Sequence, residues 1–116
     1  MEKVRIGVFK CGNIGSAPVL ELLFDELADR EDIVVRTVTT GSKMDVESVE
    51  ATIEKIFEFN PNILFFTSPN TSAPGPSKAR EILSKKKVPT IVITDGPGKR
   101  VKDEIEKQGL GYTIIM

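Results

Sequence analysis

The chain has 116 residues, 40% of them hydrophobic, which is enough for one compact domain over 1–116 with a real core. Sixteen basic and seventeen acidic residues leave a net charge of −1, which gives no electrostatic reason for a nucleic-acid or anionic-membrane partner. One cysteine and no histidine exclude an intramolecular disulfide, the common Cys/His zinc frameworks and a His-dependent triad within one chain; a reduced, cytoplasmic protein without a metal is expected.

The amino terminus carries Glu2, Lys3 and Arg5 in a strand-like run, so it does not read as a signal peptide. No apolar stretch approaches a bilayer span. Val4–Phe9 is the first predicted strand. Ser16–Ala28 is the first predicted helix, with Ser16 as N-cap, Pro18 in the first turn, and Val19, Leu20, Leu22, Leu23 and Leu27 recurring at helical spacing. Asp29–Asp32 is a solvated turn before a strand over Ile33–Thr39.

Asp45 caps a second helix, Val46–Phe59, whose stripe is Val49, Ile53, Ile56 and Phe57. Asn60-Pro61-Asn62 ends it, because the residue before proline leaves the helical region. Ile63–Thr67 is apolar nearly throughout, as a central strand buried on both sides would be. The loop Ser68–Gly75 is stiffened by Pro69 and Pro74, and a third helix follows over about Pro76–Lys86. Thr90–Thr94 is a fourth strand, Asp95–Gly98 a turn, Lys99–Gln108 a fourth helix, and Gly109 the left-handed residue after it. Gly111–Ile115 is a fifth strand.

Five strands alternating with four helices predict an α/β domain: a three-layer αβα sandwich around a five-stranded parallel sheet. The pattern fits a flavodoxin-like order, 2-1-3-4-5, or a Rossmann-like order, 3-2-1-4-5. Ligands in such sheets lie beyond the carboxyl ends of the strands. Four segments meet there: Lys10–Gly15, Thr40–Met44, Ser68–Gly75 and Asp95–Gly98. All α/β domains need Gly-, Pro- and Ser-rich turns, so no single loop is diagnostic; together they contrast with a plainer opposite edge.

Gly12 and Gly15 match the last two glycines of G-x-G-x-x-G, but Lys10 occupies the first. The second strand ends in Val38-Thr39-Thr40-Gly41-Ser42 without the acid that NAD sites place on ribose, although Lys43 would suit a phosphate. A receiver domain is excluded by Lys10-Cys11 and Ser68-Pro69 where acidic residues would stand. A flavin mononucleotide site would want a Ser/Thr-rich loop after the first strand, which is lacking. Cys11 could be a nucleophile near a helix start, but no base accompanies it and packing is the favoured reading. Lys78, Arg80, Lys99, Arg100 and Lys102 stand at predicted helix starts, where cations oppose the dipole; an anionic ligand would reverse that sign. Asp95 and Asp45 are candidate acids, with Asp45 better explained as a cap.

The runs Lys10–Gly15, Ala28–Asp32, Pro69-Asn70, Ala73-Pro74-Gly75-Pro76-Ser77-Lys78-Ala79-Arg80-Glu81, Asp95–Gly98, Val101–Glu104 and Gln108–Tyr112 resemble those of the coenzyme F420-dependent methylenetetrahydromethanopterin dehydrogenases of archaea. The long Ala-Pro-Gly-Pro run makes the resemblance specific, and it extends over essentially the whole chain. It implies reversible hydride transfer between methylenetetrahydromethanopterin and F420, with no metal. Such chemistry requires two rings held face to face rather than a histidine. By this resemblance Gly12, Asn13, Ile14, Gly15, Ser42, Lys43, Met44, Pro69, Asn70, Ala73 and Pro74 contact F420, Asp95 and Pro97 approach the pterin substrate, and the chain forms a homo-oligomer. No catalytic residue is assigned. Family chains are well over twice this length, so the alternative is a non-catalytic α/β domain that lacks the helical region needed for activity.

Overall fold

The computed structural model describes residues 3–115; Glu2, expected in the first strand, lies outside them. Strands β1 (Val4–Lys10), β2 (Ile33–Thr39), β3 (Ile63–Ser68), β4 (Thr90–Asp95) and β5 (Gly111–Ile115) form one parallel sheet in the order β2-β1-β3-β4-β5. The order is therefore the flavodoxin-like one. Helices α1 (Ser16–Asp25), α2 (Val46–Glu58), α3 (Pro74–Ser84) and α4 (Lys102–Lys107) make the connections.

Strand register sorts the side chains between two sides. Gly7, Phe9, Leu64, Phe66, Val92 and Thr94 share one side, and α2, α3 and α4 cover it. Ile53 and Ile56 of α2, Ala79 and Leu83 of α3, and Ile105 of α4 close over these strands with no more than 1% exposure. Each such large apolar side chain contributes roughly 1.5–3 kcal/mol by leaving water. The rings of Phe9 and Phe66 stack at 5.8 Å.

Among the described residues the other side is covered by α1 alone. Phe24 meets Phe65 of β3 edge-on at 5.7 Å, Lys10 pairs with Glu21 at 3.1 Å, and Ala17 is buried. The predicted apolar stripe of α1 is not a buried stripe: Val19, Leu22 and Leu23 are 59%, 64% and 61% exposed. Helical spacing identified an apolar surface correctly, but no element packs against its outer part.

Other differences are local. α1 is capped by Gly15 with no side-chain bond, and the Ser16 hydroxyl is buried without a partner. α1 gives way after Asp25 to tight turns through Arg30, held by Leu27 N–H to Phe24 O and Ala28 N–H to Asp25 O. α3 begins at Pro74, two residues earlier than expected, because proline at N1 needs no hydrogen bond. The predicted fourth helix splits into a 3-10 turn over Gly96–Val101 and the short α4. α2 ends as expected, with Asn60 in the left-handed region at φ 56, and Gly109 takes φ 77 after α4. Among the described residues no helix is long and apolar enough to cross a membrane.

Candidate functional site

The four predicted loops do converge beyond the strand ends. Gly12 is the hinge of the first. Its φ of 83 requires a residue without a side chain, and a Cβ there would lie 2.7 Å from Met44 Sδ and 3.2 Å from Pro69 Cδ. Gly12, Met44 and Pro69, from three separate loops, thus share one contact. Gly12 N–H also donates to Thr40 Oγ1 at 3.3 Å, and Thr40 Oγ1 donates to the Lys43 carbonyl at 2.5 Å. Those two bonds shape the Thr40–Met44 loop against the Gly-rich turn.

The third loop is held from both ends. The Gly75 N–H donates to Met44 O at 3.1 Å, and a Cβ at Gly75 would overlap that carbonyl. Asn70 Oδ1 accepts from the Ser72 N–H at 3.0 Å and from the Ser72 hydroxyl, which makes the tight turn after Pro69. The buried Thr71 hydroxyl meets that of Thr94 at 3.3 Å, and Gly98 packs against both. The turn after β4, carrying Asp95 and Pro97, is in this way joined to the loop after β3.

Asn13, Gly15, Ser42, Lys43, Pro74 and Pro97 are exposed, whereas Met44, Pro69, Asn70, Ala73 and Asp95 are half-buried. Ile14 is buried, with 4% exposure. Cys11 is buried. Burial pushes its thiol pKa up, against a smaller opposing effect from Thr40, with Asp45 adding to the rise. That is the reverse of an activated nucleophile. Asp45 accepts from the Ser48 N–H at 3.0 Å and from its hydroxyl at 2.7 Å, as a helix cap does, and these bonds lower its pKa.

The cations at helix starts require a correction. Arg80 is buried and committed: Nε donates to Thr71 O at 3.1 Å, Nη1 to Gln108 Oε1 at 2.8 Å, and Nη2 to Ser77 Oγ at 3.1 Å, with Glu104 at 3.3 Å. No ligand can claim that guanidinium. Lys78 faces Glu81 at 3.7 Å. Lys99 and Arg100 lie in the 3-10 turn, and the first turn of α4 carries Asp103 and Glu104. Sequence reasoning also missed Thr40, Thr71 and Thr94 as the ties between loops. Their signal was present, since a threonine stands at or just past the carboxyl end of each of β2, β3 and β4.

One cavity lies elsewhere. A groove of about 600 Å³ runs between α1 and β2, bordered by Glu21, Asp25, Arg30 and Arg36. It follows the flank of the sheet, where α1 spans β2 incompletely, and collects none of the loop residues. The candidate site is the strand-end surface where the four loops meet, with Met44 and Pro69 half-buried against Gly12. Among the described residues no group of three or more Cys, Asp or Glu is placed to hold a metal ion.

A family model described as methylene-5,6,7,8-tetrahydromethanopterin dehydrogenase matches residues 4–116. Among curated relatives, the F420-dependent methylenetetrahydromethanopterin dehydrogenases of Methanocaldococcus jannaschii and Methanobrevibacter smithii are 56% and 55% identical over 113 residues, covering 97% of this chain and 41% of each relative. A solved structure of an F420-dependent methylene-tetrahydromethanopterin dehydrogenase, in complex with methylene-tetrahydromethanopterin and coenzyme F420, is 46% identical with a TM-score of 0.88, over 97% of this chain and 41% of that one. The chain thus spans about two-fifths of the length of the relatives it matches. With the family model covering nearly every residue and with relatives of that description sharing more than half of the aligned positions, this chain belongs to the methylene-5,6,7,8-tetrahydromethanopterin dehydrogenase family.

Proposed function

We propose that this chain is the coenzyme F420-binding part of a dehydrogenase that moves hydride between methylene-tetrahydromethanopterin and F420. The observation that carries the reading is its likeness, at 46% identity and a TM-score of 0.88, to a structure that holds both molecules. Coenzyme contacts on this reading fall on the loops that meet beyond the strand ends. There Met44 and Pro69 offer partly exposed apolar atoms to a ring, and the bare Gly12 makes room for both. No acid follows β2, so nothing there selects an adenosine ribose.

When bound, F420 supplies the carbon that accepts or donates the hydride. The chain's own contribution is positional. Gly12 and Gly75 let three loops close up, the Thr71–Thr94 contact fixes the spacing between the β3 and β4 loops, and Asp95 and Pro97 stand at the neighbouring turn for the second ring. Holding two reactants in one orientation is worth on the order of 7–11 kcal/mol of barrier, which suits a site without an acid–base residue. A cytoplasmic setting and a homo-oligomeric assembly belong to the same reading.

The test is calorimetric titration of the purified chain with oxidised F420. Saturable binding that Gly12→Val abolishes supports the reading. Absence of binding at high micromolar coenzyme would favour the second reading, an α/β domain without activity of its own, for which the span of about two-fifths of the relatives' length is the specific argument.

A further inference from the structure

We infer that the α1 side of the sheet is a docking surface for one amphipathic helix, laid antiparallel to the strands over β3, β4 and β5. Register puts Phe65, Ile91, Ile93 and Ile115 on this side. They are half-buried or exposed, with Ile115 at 42%, whereas Leu64, Phe66 and Val92 on the covered side have no exposure. Parallel sheets bury both sides, because their crossovers place helices on each. Among the described residues one side is covered by three helices and the other by one.

The flank of α1 continues the same surface. Glu21 and Asp25 border the groove toward β2. At 100° per residue Leu20 and Leu23 fall on the opposite flank, toward β4 and β5. An incoming helix would therefore touch leucines on one side and a floor of isoleucine and phenylalanine beneath. The dimensions fit one helix. Three strands at about 4.8 Å spacing make a strip about 10 Å wide between outer axes, close to a helix diameter of about 10–12 Å. A helix packed about 8–10 Å from α1 would run above β4.

The occupant comes from polypeptide equivalent to the part of the relatives outside the match, which is the larger part of each. Sheet-to-sheet contact between two copies is disfavoured by shape. Stacked sheets sit about 10 Å apart, and α1 already stands at that height on each. This inference does not depend on coenzyme binding.

The experiment compares the isolated chain with a chimera in which residues 4–116 replace the matched region of the Methanocaldococcus jannaschii relative. Leu23→Cys and Ile93→Cys are each introduced with Cys11→Ser, and maleimide labelling rates are measured; Glu50→Cys on the exposed side of α2 is the control. Labelling at Leu23→Cys and Ile93→Cys falls at least tenfold in the chimera and stays fast at Glu50→Cys. Leu23→Glu, at a site 61% exposed, leaves the isolated chain folded by circular dichroism and restores labelling at Ile93→Cys in the chimera. Equal rates in chimera and isolated chain would overturn the inference. So would protection that is already present in the isolated chain and disappears on dilution, which would assign the surface to a second copy.

Discussion

Arg80 Nε donates to the carbonyl oxygen of Thr71 at 3.1 Å, so a buried guanidinium on α3 holds the backbone of the loop that follows β3. The same group reaches Gln108 beyond α4 and Glu104 within it. One side chain thereby joins a site loop to the two helices behind it. Replacement by alanine leaves the Thr71 carbonyl and the Gln108 amide without their partner, and it opens a cavity. We expect Arg80→Ala to lose on the order of 3–5 kcal/mol in urea unfolding. Glu104 is more than half exposed, so Glu104→Gln should cost less than about 1 kcal/mol. Equal losses for the two would show that the ion pair, rather than the buried hydrogen bonds, matters.

Two glycines of the first loop should behave oppositely. Gly12 has φ 83 and Met44 against it, so Gly12→Ala should cost at least about 1–2 kcal/mol and displace Met44. Gly15 has φ −61, and a methyl group added there would meet no atom within 4 Å, so Gly15→Ala should fall within about 0.5 kcal/mol of wild type. Thermal melts of the two variants side by side give the comparison.

Asp45 gives a pH dependence. The Ser48 hydroxyl and then the Ser48 N–H hold its pKa below the unfolded value. A lowered folded-state pKa means the stabilisation is present above the unfolded value, about 3.9, and is lost as pH falls through the folded one. Wild type should therefore melt above Asp45→Ala at neutral pH, and the two Tm values should converge as the pH drops below that window. A constant gap down to the lowest pH would mean the carboxylate charge plays no part in the cap.

Cys11 should be slow toward thiol reagents. Its burial and raised pKa both suppress the thiolate. Aromatic disulfide reagent at pH 8 should react only on the timescale of unfolding, and at once in denaturant. Rapid reaction in the native state would reopen the nucleophile reading.

Much of this was legible in the sequence for a local reason. Strand–helix alternation is written in short apolar runs and helical stripes, and caps such as Asp45 act within three residues. What escaped was tertiary. Periodicity shows that Leu23 lies on an apolar face of α1, but not whether anything covers that face. Arg80, placed near a helix start by the predicted boundary at Pro76, looks like an anion ligand until Thr71 and Gln108, nine and 28 residues away, are seen to take its donors. The split of the fourth helix follows from Pro97 and from Gly98 lodged between Thr71 and Thr94, a packing demand that no window of sequence displays. That these loops share one edge follows from topology, whereas their joining through Gly12, Met44 and Pro69 is a tertiary contact that sequence does not display.

The place of β1 between β2 and β3 bears on how the protein is made. Arg5 and Asn62 exchange hydrogen bonds across 57 residues, Arg5 N–H to Asn62 Oδ1 and Asn62 N–H to Arg5 O. Among these five strands β1 is made first; it can pair on one edge once β2 follows it, but its second edge waits until β3 has emerged. Until then an apolar strand has an open flank in the nascent chain. Synthesis slowed between residues 40 and 60 would prolong that state, and a chaperone that binds extended apolar segments would find its longest window there.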